Sequence, residues 1–395
     1  MTTCYLAELG LVNALGQGKA AVARGLFGGD TGGMVLEHGW LPDRPARVGR
    51  VCGNLPEIPA AFSGHASRNN RLLLAALAEI ETAVRSAIDR YGPARVGVVL
   101  GTSTSGIAEG ETAIATLVAS GELPPGFDYA LQELGDPARF LARYLGTHGP
   151  AYVVSTACTS SAKAMVSARN LIAAGLCDAV VSGGVDSLCR LTINGFTALE
   201  STTDTLCNPM SRNRRVINIG EGAALFLMTR MPAAIALLGA GESSDAHHIS
   251  APDPSGRGAE LAIRQALSEA GTAPEAMAYV NLHGTATPKN DEMESRVVTR
   301  VLGADVACSS TKPLTGHTLG AAGATELGFC WLSLSGHNPG GLLPPHLWDG
   351  DADPELPRLN LVATGTRMPA GRRLIMSNNF AFGGNDCSLV IGDAL

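Results

Sequence analysis

Four short runs, "ARVGVVLG", "AYVVSTAC", "DAVVSGGVDS" and "GAALFLMTR", are apolar on consecutive positions and end in glycine or small polar residues. A strand wet on one face alternates apolar and polar side chains. Continuous apolar runs of this length point to strands covered on both faces. Helical patterns stand between them. "RNNRLLLAALAEIETAVRSAIDRYG" places Leu73, Leu77, Ile80, Val84 and Ile88 at three- and four-residue spacing, and Gly92 ends the pattern. "TSSAKAMVSARNLIAAGLC" reads as a helix after the second strand. This alternation predicts an α/β protein with helices covering its sheets.

The second half repeats the grammar. "AIALLGAGES", "MAYVNLHGT" and "DVACSSTK" read as strands, while "GAELAIRQALSEAG", "DEMESRVVTRVLG" and "GAAGATELGFCWLSLSG" read as helices. "RLIMSNNFAFGGNDCSLVIG" predicts a closing hairpin. Two similar halves, 1–235 and 236–395, indicate an internal duplication.

Composition narrows the function classes. A chain of 395 residues with 45% hydrophobic and 16% charged residues buries a large core. A net charge of −7 argues against a general nucleic-acid binder. No apolar run approaches the roughly 18 residues of a membrane span. The start lacks a basic segment followed by an apolar core, so no signal peptide is evident and a cytoplasmic location is expected. The nine cysteines are scattered without a Cys-x-x-Cys pair, which fits reduced thiols and argues against a disulfide framework or a metal site.

Cys158, in "VVSTACTSSAKAM", lies where a strand turns into a helix. It is either a nucleophile there or one more buried thiol, since free cysteine packs as a small hydrophobe. His283 in "NLHGTATPKND" and His317 in "SSTKPLTGHTLGAAGATE" each follow an apolar strand beside a glycine. A cysteine and histidines far apart in sequence but at equivalent strand ends fit a thiol nucleophile with acid/base partners.

The motifs "STACTSSA", "HGTATPKNDEME", "STKPLTGHTLGAAGATE" and "NNFAFGGND" together resemble the β-ketoacyl-[acyl carrier protein] synthases of the elongating, decarboxylating Cys-His-His type. The resemblance covers nearly the whole chain. It implies a thiolase-type fold, with two βαβ-rich halves in a five-layered αβαβα arrangement. It implies decarboxylative Claisen condensation of an acyl thioester with malonyl-acyl carrier protein. Cys158 would take the acyl group, helped by a helix N-terminus that lowers a thiol pKa. His283 and His317 would donate hydrogen bonds to the malonyl thioester carbonyl, with Lys312 and Glu326 as a supporting ion pair.

The same resemblance makes "FAFGG" the gating turn, with Phe380, Phe382 and Gly383. Phe382 would be the acyl gate, and its backbone N–H with that of Cys158 the oxyanion hole. Phe196 would stand at the pocket mouth, and Arg68 and Arg71 would dock the carrier protein. No metal or organic cofactor is implied, because the phosphopantetheine arm belongs to the carrier protein. The family's dimeric habit implies a homodimer, with a heterodimer with a chain-length partner as the alternative.

Several positions depart from the family pattern. Ser211 and Val216 replace an aspartate and a glycine, which leaves the anchoring of that loop open. Lys163 replaces a histidine, and Ala381 replaces the glycine between the gate phenylalanines. Two rivals stand beside this reading. A non-catalytic chain-length subunit would lack the nucleophile, and a thiolase would carry a second cysteine near the C-terminal glycine turn, where Cys387 lies. The segment from "LVNALGQGKAAVARGLFGGDTGGM" onward is similar to ketosynthases of aryl-polyene pigment clusters.

Overall fold

The computed structural model describes residues 3–371 and 373–394. Five strands of the first half are β1 (Cys4–Asn13), β2 (Val96–Gly101), β3 (Ala151–Val154), β4 (Ala179–Asp186) and β5 (Gly222–Thr229). They lie in the order β3-β2-β4-β5-β1. The second half supplies β6 (Ile235–Ser244), β7 (Tyr279–Asn281), β8 (Ala307–Ser309), β9 (Leu374–Phe380) and β10 (Asn385–Asp393). Their order, β8-β7-β9-β10-β6, is the same when each half is counted from its own first strand.

The pairing senses also match. β2 runs parallel to β3 and β4, as β7 does to β8 and β9. The remaining pairs, β4–β5, β5–β1, β9–β10 and β10–β6, are antiparallel. β1 and β6 pair at Cys4–Leu237 and Tyr5–Ala236, which joins the halves edge to edge. The duplication read from sequence is thus a duplication of topology.

Helices complete the layers. α1 (Arg68–Leu77), α2 (Glu81–Tyr91) and α3 (Asp136–Leu145) cover the outer face of the first half. α4 (Ser160–Ala173) and α7 (Ala322–Leu334) pack against each other between the two halves, while α5 (Arg257–Ala270) and α6 (Pro288–Leu302) lie outside the second. Every residue of α7 is buried, including Leu327, Phe329 and Leu332. Each such side chain contributes about 1.5–3 kcal/mol on burial.

Small residues set how closely this centre can pack. A Cβ on Gly101 would lie 2.2 Å from the backbone nitrogen of Ser161, and one on Gly323 would lie 2.7 Å from that of Ala162. The strand, the nucleophile-bearing helix and the central helix therefore meet nearly backbone to backbone.

One expected helix is two. The run from Arg68 to Tyr91 breaks at Ala78–Ile80, where Glu79 turns to accept hydrogen bonds from the backbone nitrogens of Leu11 and Lys19. A tertiary tie to the end of β1 overrides the local helical pattern. Leu73, Leu77, Ile80 and Val84 are buried as the periodicity predicts, and Ile88 is half-buried.

Candidate active site

β3 ends at Val154 and α4 begins at Ser160, so Cys158 lies in the intervening turn. Ala157 has φ of 53°, a left-handed conformation that costs a non-glycine residue about 1–2 kcal/mol. The turn is held by its own hydroxyls. Ser160 Oγ donates to Ala157 O at 2.5 Å and accepts from Thr156 N at 2.9 Å, while Thr159 Oγ1 donates to Thr156 O at 2.8 Å. Such strain and reinforcement together fix where the thiol points.

His283 follows β7 and His317 follows the short helix Lys312–Thr315. Their ring nitrogens and Cys158 Sγ lie within 4.8 Å of one another. His317 Nε2 is 2.9 Å from Cys158 Sγ, and the two imidazoles meet edge to face at 5.4 Å between centroids. Asn218 O accepts from His317 N at 2.7 Å. Glu294 on α6 accepts from His283 N at 2.8 Å and Gly284 N at 2.7 Å. Lys312 Nζ donates to His283 O at 2.6 Å and pairs with Glu326, in the first turns of α7.

Burial governs the protonation states. It pushes the Cys158 thiol up to about 12, against the pull of the Lys312 charge and the Phe382 backbone N–H. The sulfur is buried at the base of the pocket, and that burial is the largest influence on it. Burial also holds both imidazoles well below their ordinary range, with Lys312 adding to the effect and His317 adding further at His283. The resting site is therefore a neutral thiol beside two neutral rings.

A cavity of about 510 Å³ opens onto this triad, lined by Phe196, Phe380, Ala381 and Phe382 among others. Phe382 packs on Phe196 with ring centroids 5.8 Å apart, and Phe380 packs on His283 at 6.1 Å. Gly383 has φ of 82° and donates its N–H to Ile249 O at 2.8 Å. Ala381 avoids positive φ and lies buried. Lys163, at the family's histidine position, stands 3.6 Å from Glu242.

Arg68 and Arg71 are not brought to the cavity, contrary to expectation. Arg68 makes a two-pronged pair with the fully buried Glu221, at 2.5 and 2.7 Å. Arg71 binds Glu57 at 2.7 Å and the carbonyls of Leu55 and Pro56. Both charges serve to tie the 50–57 segment to α1. The basic residues that do line the cavity are Arg215 and Lys289, both exposed. Neither stood out in sequence, nor did Glu294, whose role depends on which face of α6 meets the end of β7.

The loop left open by Ser211 is anchored from elsewhere. Ser211 Oγ donates to Asp349 Oδ1 at 2.8 Å, and the amides of Asn208 and Asn213 donate to Asp349 Oδ2 at 2.7 and 2.9 Å. The carboxylate missing from the motif is supplied by Asp349, in the segment between α7 and β9. Cys387, the thiolase candidate, is buried in β10 and does not line the cavity.

Comparisons with known proteins agree with this geometry. Residues 54–234 match the β-ketoacyl synthase N-terminal domain, and residues 235–347 match its C-terminal domain. A 3-oxoacyl-[acyl-carrier-protein] synthase 2 from Vibrio cholerae is 31% identical over 77% of this chain and 77% of its own. One from Synechocystis sp. is 28% identical over 96% of this chain and 95% of its own. A chain of the solved complex of the ketosynthase ApeO with its chain length factor ApeC, from Xenorhabdus doucetiae, is 48% identical. That match covers 100% of this chain and 98% of the other, with a TM-score of 0.94. The chain belongs to the β-ketoacyl synthase family of acyl-transferring condensing enzymes.

Proposed function

We propose that Cys158 carries the growing acyl group and that His283 and His317 drive decarboxylation of malonyl-acyl carrier protein. The observation that carries this reading is the convergence of the three donor atoms within 4.8 Å at the base of one cavity. In the first half-reaction Cys158 Sγ attacks the acyl thioester, and the bond to the carrier sulfur breaks. The thiol proton passes through His317 Nε2, its neighbour at 2.9 Å, to the leaving carrier thiol. The backbone N–H groups of Cys158 and Phe382 receive the developing oxyanion.

In the second half-reaction the malonyl carbon–carboxylate bond breaks and carbon dioxide departs. The electron pair forms an enolate, whose oxygen takes hydrogen bonds from the two rings. A neutral imidazole offers a lone pair or an N–H at either ring nitrogen, so the same ring serves both steps. The enolate carbon then attacks the acyl carbonyl, the bond to Sγ breaks, and the sulfur regains a proton from water. Lys312 acts behind the rings, keeping them neutral and holding the His283 backbone in place. The reaction needs no metal or organic cofactor of the protein's own.

Carrier-protein docking falls to Arg215 and Lys289, the basic side chains at the cavity rim. A partner subunit is also part of the reading. β3 is an edge strand paired only to β2, and helix Ile107–Ser120 exposes Ile114 and Val118 at 56% and 82%. Exposed apolar residues and an open strand edge are each features of association surfaces. The 48% identity to a chain from a ketosynthase–chain length factor complex supports a heterodimer, and with it the aryl-polyene subgroup. Among the described residues no helix is long and apolar enough to cross a membrane, and we place the enzyme in the cytoplasm. The test is mass spectrometry of the acyl group trapped on Cys158 after incubation with acyl-carrier-protein thioesters of varied chain. A conjugated aryl chain on Cys158 supports the subgroup, whereas exclusive loading with saturated chains contradicts it.

A further inference from the structure

Two carboxylates the mechanism does not use, Asp245 and Asp386, line the same cavity and are almost wholly buried. They converge beside the turn that carries Phe382. A Cβ on Gly258 would lie 2.3 Å from Asp386 Oδ2 and 3.0 Å from Asp245 Cβ, while one on Gly384 would lie 2.1 Å from Asp245 Oδ1. Asp245 N donates to Gly384 O at 2.8 Å, and Asp245 accepts from His247 N and Asp253 N at 2.9 and 2.8 Å. The loop so gathered accepts the Gly383 N–H through Ile249 O. Asp386 is the second residue of β10, the strand leaving the turn, and accepts from Ser243 Oγ at 3.2 Å. The Phe382 turn is thus held on one side by Asp245 and on the other by the strand of Asp386.

We propose that Asp245 and Asp386 are a positioning pair for the Phe382 turn: while Asp386 keeps its proton the pair holds the turn shut, and losing that proton frees it to admit long acyl groups. A second buried negative charge beside Asp245 carries a cost, so ionising Asp386 is disfavoured. The groups facing Asp386 are Asp245 and Asp253 on the loop and Lys163 on α4, the last also near Glu242 on β6. His247 and Arg257 stand near Asp253. Burial, and then the Asp245 charge, push Asp386 up to about 7. The proton leaves to water in the cavity. With a raised pKa in the shut state, the latch is fully present at pH below the ordinary aspartate range. It is lost progressively as pH rises to about 7.

The proposal rests on Cys158 being the acylated thiol, and the experiment separates the two. Acylation rates of Cys158 by one long and one short acyl-carrier thioester are measured across this pH range, by quenched flow and intact mass, for wild type and Asp386→Asn. Taking the long-to-short ratio cancels the titration of the thiol and imidazoles. The wild-type ratio rises by up to about tenfold per pH unit and levels off above neutrality. In Asp386→Asn, where no proton can be lost, it stays flat. A flat ratio in wild type, or an unchanged rise in the folded variant, overturns the latch. Absence of any adduct on Cys158 in either protein overturns the proposed function and the latch with it.

Discussion

Lys312 Nζ donates to the backbone carbonyl of His283 at 2.6 Å, so a buried cation positions the end of β7 and adds to the burial that keeps its ring neutral. The same ammonium offsets the buried Glu326. Removing one partner of such a pair leaves an uncompensated charge. Lys312→Met is therefore predicted to cost about 3–5 kcal/mol in urea unfolding, and the double variant with Glu326→Gln to recover part of that. Lys312 lowers the proton affinity of both imidazoles, so their NMR titrations should move upward in the variant. Unmoved titrations would contradict its electrostatic role.

Ala381 tests the gate from the backbone side. It avoids positive φ here, and its N–H donates to Asn385 O at 2.7 Å, so the methyl is tolerated in the shut turn. Entry into the left-handed region would cost alanine roughly 1 kcal/mol more than glycine. Ala381→Gly is predicted to speed acylation by long donors with little change for short ones. Identical stopped-flow rates at every chain length would show that opening never carries residue 381 through positive φ.

Folding stability should be greatest on the acidic side of neutrality. Burial pushes Asp291 up to about 6 and Glu294 up to about 7, so their contribution to stability is lost as pH rises through those values. At Asp349 burial acts upward, but hydrogen bonds from Asn213, the Asp351 N–H, Ser211 and Asn208 outweigh it and bring the carboxyl down to about 2. That contribution is lost as pH falls toward about 2. Thermal melts across pH should show a maximum between these limits. A midpoint rising steadily from pH about 6 to above about 7 would contradict the assignment.

Much of this site was legible because its chemistry sits at strand ends among glycines, where local pattern and motif coincide. Cys158, His283, His317, Lys312 and Glu326 all lie in such segments, and the structure gathers them around one cavity. What escaped depends on contacts distant in sequence. Glu79 breaks a helix by bonding to the backbone of Leu11 and Lys19. Asp349 replaces a carboxylate that the 208–216 loop lacks. Arg68 resembles a surface docking charge until Glu221, 153 residues away, is found beneath it. Burial of the Cys158 thiol, which pushes its pKa up, is likewise invisible in sequence, whereas a helix start is visible there.

His283→Ala and His317→Ala should each still accept an acyl group on Cys158. Each should release carbon dioxide from malonyl-carrier protein about a hundred- to a thousand-fold more slowly, because the enolate oxygen loses a preorganised donor. Single-turnover measurement of carbon dioxide decides this, and normal release from either variant removes that ring from the mechanism.

The central claim is that Cys158, among nine cysteines, is the acyl carrier. The other buried thiols lie outside the cavity and Cys52 is exposed. Intact-protein mass spectrometry of Cys158→Ala after incubation with an acyl-carrier thioester tests it most directly. The account predicts one acyl adduct on the wild type and none on the variant, with the fold unchanged by circular dichroism. An adduct persisting on Cys158→Ala would place the nucleophile elsewhere and contradict the account at its centre.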